Sequence, residues 1–287
     1  MKSIWQDIKL VIQNPENGLW RLILANVFVF VVVSLSHVFL SLAGKEVWYN
    51  QLLEQIALSS QPKIVLYKPW TFFTYFFAHF EIFHLVFNML FLYWFGSIIY
   101  TFIGQKRLIQ LYFLGGLAGA IAYILLLNSF SYFVMKGPIY LNGASASVFA
   151  IVVGAATLQP NYKVHLLIFG EVAIKYVAAF YILWSMIETT GTNAGGNIAH
   201  LGGALLGFLY AYSYQRKQLR RPAPEEKIYS YSMTVQKKIQ DFVEQNEPEE
   251  IEEDELNAIL DKISTSGYES LSKHEKKRLF KASQKND

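Results

Sequence analysis

"FHLVFNMLFLYWFGSIIYTFIGQKRLIQLYFLGGLAGAIAYILLL" (residues 83–127) holds two apolar runs parted only by Gly104-Gln105-Lys106-Arg107. A helix needs about 20 mostly apolar residues to cross the hydrocarbon core of a bilayer. Residues 83–103 and 107–127 therefore each read as a spanning helix. Working outward, four more stretches share this character: 20–42, 144–159, 172–188 and 198–214. The expected fold class is an all-α membrane protein, a bundle of six transmembrane helices. The span 144–159 is short, which suggests that it starts below the membrane surface.

Composition agrees. The chain has 287 residues, 53% hydrophobic and only 16% charged, against about a quarter charged in soluble domains. Its mean hydropathy is +0.25. The 22 Phe, 18 Tyr and 6 Trp suit a protein with residues at two membrane interfaces. Cysteine is absent, which excludes disulfides and thiolate metal sites. No cofactor, metal or nucleic-acid partner is expected; the lipid bilayer is.

The basic residues orient the bundle. Lys2, Lys9 and Arg21 precede or open the first span, Lys106 and Arg107 follow the second, Lys163 the fourth, and Arg216, Lys217, Arg220 and Arg221 the sixth. The opposite loops hold only Lys45, Lys63, Lys68 and Lys136. By the positive-inside rule both termini are expected in the cytoplasm. Residues 1–19 lack the apolar core and cleavage site of a secretory signal and read as an amphipathic surface segment. The core domain is expected over 20–214, a charged linker over 215–250 and a small cytoplasmic helical hairpin over 251–287. In that hairpin Leu256, Ile259, Leu260 and Ile263 have helical spacing and Gly267 breaks it. A second helix is expected over 270–280. Ser272 is the preferred N-cap, with Glu275 three residues on as a capping box requires, and Ser270 is the alternative.

Ionisable groups inside a membrane are costly and so draw notice as functional candidates. "HFEIFHLVFN" (79–88) carries His79, His84 and Asn88, the last two one helical turn apart. "NIAHLGGALLG" (197–207) carries His200, with Gly203 and Gly207 on the same face at the spacing that lets helices approach closely. Ala146, Ala150 and Gly154 form a matching small-residue stripe on the fourth span. Their meeting would bring the Ser145 hydroxyl near the His200 imidazole. A serine needs a base within hydrogen-bond reach to become a nucleophile, and histidine is the best base available. No aspartate occurs between Asp7 and Asp241, so a buried aspartate cannot orient that base. Side chains of His84 and Asn88 and the Ser145 backbone N–H are the expected donors to an oxyanion.

Other polar residues have plainer readings. Ser147 is expected to pack, as serines in membrane helices commonly do. Ser145 differs in following Gly143-Ala144 at the helix mouth. His37 and His165 read as structural or interfacial, Gly115, Gly116 and Gly119 as packing, and Glu171 with Lys175 as an interfacial pair. The soluble-hydrolase elbow G-x-S-x-G is not met: position 147 is Ser, and no strand is expected before it.

"HFEIFHLVFN", "GASA" (143–146) and "AHLGGALLG" (199–207), in this order on six spans, resemble the rhomboid family of intramembrane serine proteases. The resemblance covers about residues 20–214. It implies a six-helix bundle with a water-accessible site below the outer membrane surface and transmembrane proteins as substrates. It implies Ser145 as nucleophile, His200 as base, and His84, Asn88 and the Ser145 amide as the oxyanion site. It further implies that His79 supports the loop into the second span and that Phe149 stacks on the base. Three positions depart from the family pattern: Trp70-Thr71 stands for Trp-Arg, Tyr100 for a glutamate four residues after Gly96, and Ala146 for the commoner glycine. A multi-pass protease of a bacterial inner membrane is the leading expectation. A non-catalytic rhomboid-like protein that binds membrane clients would need the bundle but not Ser145. A histidine-relay transporter would show inverted repeats, and none is found. The tail is expected at most to make a cytoplasmic protein contact.

Overall fold

The computed structural model describes residues 17–135, 138–166, 170–219, 236–237, 240 and 253–283. The chain divides into two units, 1–220 and 221–287. Nearly all of the expected amphipathic segment 1–19 and most of the expected linker 215–250 lie outside the described residues.

Helix α1 (Gly18–Leu42) opens the first unit, followed by α2 (Glu46–Ile56), strand β1 (Leu58–Ser59), α3 (Pro62–Tyr67) and the single turn α4 (Thr71–Thr74). Then come α5 (Ile82–Ile103), α6 (Gln105–Ser129), the short α7 (Ser131–Val134), β2 (Tyr140–Leu141) and α8 (Ser145–Leu158). Strands β3 (Lys163–Leu166) and β4 (Gly170–Ala173) lead into α9 (Ile174–Ile187) and α10 (Ala194–Leu219). Each expected span has a helix over it. Three of them, α1, α5 and α6, are long and apolar enough to cross a membrane. At 14 residues α8 is about 21 Å long, short of a hydrocarbon core of about 30 Å.

Helix α8 is the hub, packed against α5, α6, α9 and α10. Its residues are apolar all round and most are buried, as expected of a helix enclosed by others rather than lying at a surface. Small residues make that enclosure possible. A methyl group on Gly203 would fall inside van der Waals contact of the Ala146 carbonyl, and one on Gly207 inside that of Ala150. On the other flank Gly115 and Gly119 of α6 give the same clearance to the Cβ atoms of Ala150 and Ala146. The rung Ala146–Ala150 is thus clamped between two glycine pairs, and Gly115 and Gly119 serve packing as their spacing suggested. Gly96 does likewise for α1: its added Cβ would lie 2.8 Å from Leu19 Cδ1. Phe28, Phe39, Phe83, Leu125, Phe180 and Leu205 point outward and exposed, a surface suited to lipid.

Buried polar groups are tied together. Asn26 Nδ2 donates to Tyr112 Oη (2.8 Å), and Tyr112 Oη donates to the Phe76 carbonyl (2.9 Å). Tyr75 Oη donates to the Gly116 carbonyl at 2.6 Å, and the Tyr75 carbonyl accepts from Gly143 N at 2.9 Å. At the other end Gln215 Nε2 donates to the carbonyls of Thr157 and Leu158 (3.0 and 3.3 Å), satisfying orphan groups at the α8 C-terminus. The loop lacking the family's arginine is fastened otherwise. Trp70 Nε1 donates to Gln55 O and Thr74 Oγ1 to Ile56 O, both at 2.8 Å, and Thr71 Oγ1 to Lys68 O at 2.7 Å. His37 lies against Tyr49, ring centroids 4.3 Å apart and planes tilted by 33°.

Two expectations are corrected. A strand does precede Ser145: β2 pairs antiparallel with β1, Leu58 opposite Leu141 and Ser59 opposite Tyr140. Glu171 and Lys175 do not pair with each other. Residues 170–173 are extended in the β3–β4 hairpin, so the helical i, i+4 relation is lost before α9 begins. Glu171 instead meets Lys163 across the hairpin at 3.0 Å, and Lys175 Nζ donates to Asn161 Oδ1 at 2.8 Å.

In the second unit α11 (Glu253–Ser266) and α12 (Lys273–Ser283) form the hairpin. Gly267, at φ +79°, ends the first helix in the conformation that glycine adopts without strain. Ile259 and Leu271 are buried. The capping box forms at Ser272: Ser272 N donates to Glu275 Oε2 (2.7 Å) and Glu275 N to Ser272 Oγ (3.3 Å). The second helix begins three residues later than expected because Leu271 is extended. Lys262 Nζ lies 2.9 Å from Glu275, and Arg278 pairs with Glu255. The Lys262 contact, aided by the Ser272 amide, lowers the Glu275 carboxyl from 4.5 to about 2. A lowered carboxylate stabilises the fold above its unfolded value, and the contribution fades as pH falls from about 4.5 towards 2. A carbon-NMR titration of the whole chain should place the Glu275 midpoint near 2 and move it up towards 4.5 in Lys262→Ala. An unshifted midpoint would mean that the pair is not formed in solution.

Candidate active site

The site is assembled where three helices meet the loop before α8. Gly143 has φ +106°, and its added Cβ would lie 2.7 Å from His84 Nε2, so only glycine lets the loop run under that ring. Two residues on, Ser145 begins α8, where the first N–H groups have no intrahelical acceptor. The Ser145 amide thus stands at a helix start, with the favourable end of the dipole behind it.

Ser145 Oγ and His200 Nε2 are 2.8 Å apart. The α8–α10 clamp at Gly203 and Gly207 produces this proximity, since no side chain larger than hydrogen fits between the helices there. Phe149, one turn after Ser145, lies flat on the His200 imidazole, with centroids 4.2 Å apart and planes 11° apart. Tyr181 of α9 meets Phe149 edge-on at 5.9 Å, and Phe91 of α5 meets Tyr181 at 5.1 Å.

His79 does more than steady the loop into α5. It accepts at Nε2 from the Ala144 amide (3.2 Å) and lies 3.1 Å from Asn88 Nδ2, while Nδ1 is 3.3 Å from the Phe77 carbonyl. With two donors facing Nε2, this network assigns the neutral tautomer that carries its proton on Nδ1. His79 therefore joins the start of α5 to the residue before Ser145. One amide hydrogen of Asn88 is used in this bond; the other makes no hydrogen bond among the described residues. His84 sits edge-on to His79, centroids 5.2 Å apart, against Gly143. A cavity of about 220 Å³, walled by His84, Asn88, Phe149, Val152 and Tyr181 among others, lies beside these groups. A larger one of about 840 Å³ between α5, the β3–β4 hairpin and α9 shares Phe91 and Tyr181 with it, and His165 lines it.

The structure thus brings together Ser145, His200, Phe149, His79, His84, Asn88 and Gly143. Gly203 and Gly207 act one layer behind them. Ser147 is fully buried, and its hydroxyl has no hydrogen-bond partner among the described residues. One site residue escaped the sequence reading: Ser185 Oγ of α9 lies 3.3 Å from His200 Nδ1. The signal was a lone serine in "AAFYILWSMI", which is indistinguishable in sequence from a back-bonding one. Among the described residues no three His, Asp or Glu side chains gather as a metal site.

An apolar helical bundle that encloses a hydrogen-bonded serine and histidine is the architecture of a rhomboid, and the chain belongs to that family. The family description "Rhomboid domain" matches residues 67–217, and the chain is an integral membrane protein. It is 29% identical over 145 residues to "Rhomboid protein 1, mitochondrial" of Saccharomyces cerevisiae (47% of this chain, 39% of the relative). It is 31% identical over 141 residues to "RHOMBOID-like protein 12, mitochondrial" of Arabidopsis thaliana (45% and 41%). It is 28% identical over 144 residues to "Presenilin-associated rhomboid-like protein A, mitochondrial" of Danio rerio (47% and 34%). The match spans well under half the length of these relatives. Residues 244–285 match a second description, "Family of unknown function (DUF6576)".

Proposed function

We propose that the protein is an intramembrane serine endopeptidase that hydrolyses peptide bonds in or near transmembrane segments of membrane-protein substrates. The 2.8 Å contact between Ser145 Oγ and His200 Nε2 carries this reading. In the proposed reaction Nε2 takes the hydroxyl proton as Oγ attacks the scissile carbonyl carbon. The oxyanion is received by the Ser145 amide, the free Asn88 amide hydrogen and His84. His200 then returns the proton to the departing amine, leaving an acyl-serine. Water, deprotonated by the same imidazole, repeats the attack and releases the acid.

Depth supports a membrane substrate. With α8 shorter than the hydrocarbon core, the serine at its start lies below one membrane surface whenever the other end is at the opposite one. A substrate helix must unwind to offer its carbonyl, because helical backbone is internally bonded. Segments with small or helix-breaking residues should therefore be preferred. The wall of α9 and the 128–142 segment are proposed as the gates, from their position alone. Both termini are proposed to be cytoplasmic, with 20–214 as the protease domain and the 251–287 hairpin as a cytoplasmic protein contact. The named relatives are mitochondrial and give the expected bacterial inner membrane no support, so the proposal is confined to an integral membrane location.

The test is cleavage in proteoliposomes of reporter proteins whose transmembrane segments differ only in a Gly or Pro near one end. Cleavage close to that end, faster with the helix breaker present, is the expected result. A folded protein that binds the reporters and cuts none of them would favour a client-binding rhomboid without catalysis.

A further inference from the structure

We infer that Ser185 is a positioning residue for the base, holding His200 in the tautomer that can accept the Ser145 proton; this rests on the protease reading above. An imidazole serves as a base at Nε2 only while its proton sits on Nδ1, and the partner at Nδ1 decides which nitrogen carries it. In soluble serine hydrolases that partner is a buried carboxylate. Here no aspartate lies between Asp7 and Asp241. The contacts around the ring are Phe149 on one face, Ser145 at Nε2, and Ser185 Oγ at Nδ1, 3.3 Å away. A hydroxyl oxygen accepts the Nδ1 proton as a carboxylate would, though without charge.

Ser185 also departs from the habit of hydroxyls elsewhere in the bundle. Ser36, Ser97, Ser129 and Thr157 each donate to the carbonyl four residues back, at 2.6–2.8 Å. Ser185 is buried and its hydroxyl meets a ring on a different helix. The helices it joins are held in place at their connection. Asn197 Nδ2 donates to the carbonyls of Glu188 and Asn193, both at 3.0 Å. The end of α9 that carries Ser185 is therefore tied to the start of α10, which carries His200.

The test uses the whole chain in detergent with a fluorophosphonate probe, comparing wild type with Ser185→Ala and Ser185→Thr. Ser185→Cys, close in size and a weaker acceptor, serves if alanine does not fold. Alanine should lower the saturating labelling rate about fivefold to tenfold, the loss of one neutral hydrogen bond, and leave the half-saturating probe concentration unchanged. Threonine should restore the rate to within about twofold, as it keeps the same hydroxyl acceptor. Nitrogen NMR of labelled histidine should show the His200 proton on Nδ1 in wild type and partly on Nε2 in Ser185→Ala. An unchanged rate and tautomer in Ser185→Ala would overturn the inference, as would equal losses in alanine and threonine variants with lowered melting temperature. Absence of labelling in wild type would instead refute the protease reading, and the tautomer measurement would still decide the role of Ser185.

Discussion

Ser145→Ala and His200→Ala are each expected to lower cleavage of a transmembrane reporter on the order of a thousandfold or more, because each removes one half of a unit that acts together. The double variant should be no worse than either single one. Once the nucleophile is gone the base has nothing to deprotonate, so the losses do not add. Ser147→Ala is the control. Its buried hydroxyl has no partner among the described residues, so removing it deletes an unsatisfied group and should leave melting temperature and activity at or above the wild-type level. Turnover and thermal unfolding measured on wild type and these four variants decide the matter. Comparable activity in Ser145→Ala, or additive losses in the double variant, would show that the two residues do not work as a pair.

The second large effect is structural. Gly203→Ala is expected to cost about 1–3 kcal/mol in stability, the usual penalty for overpacking a close contact, and to abolish most activity as well. The added methyl would fall on the Ala146 carbonyl. Relief requires α8 and α10 to part, and Ser145 and His200 ride on those two helices. Parting them even slightly breaks a 2.8 Å hydrogen bond. The contrast is Gly154→Ala on the same stripe of α8. Its added Cβ would meet Gly207 O at 3.5 Å, an ordinary contact, so fold and turnover should survive. Thermal melts with parallel cleavage assays on both variants would distinguish this pattern. Equal tolerance of both would mean that the helices do not approach as closely as described.

Much of this was legible in the sequence, for identifiable reasons. Long apolar runs mark helices because hydrocarbon forbids unsatisfied backbone, and the six expected spans fall on α1, α5, α6, α8, α9 and α10. The small-residue stripes of 146–154 and 203–207 foretold the α8–α10 contact, and with it the meeting of Ser145 and His200. Short-range chemistry was equally readable: the Ser272–Glu275 box depends on residues three apart.

What escaped depends on distant or weakly patterned residues. A two-residue strand such as β1 or β2 shows no alternation, and its pairing joins residues about eighty positions apart. Glu171 was assigned a helical partner because nothing in "GEVAIK" announces that its first four residues are extended. Ser185 carries no signal of its own, since a serine in an apolar helix usually bonds its own backbone. Asn26 and Tyr112 meet across 86 positions, a separation that periodicity does not encode.

The central claim, that His200 activates Ser145, is tested most directly by labelling the folded protein in detergent with a fluorophosphonate and locating the adduct by mass spectrometry. A single adduct on Ser145, absent from Ser145→Ala and His200→Ala and unaffected by Ser147→Ala, is the expected result. An adduct that persists in Ser145→Ala, or a folded wild-type protein that takes up no probe, would contradict it.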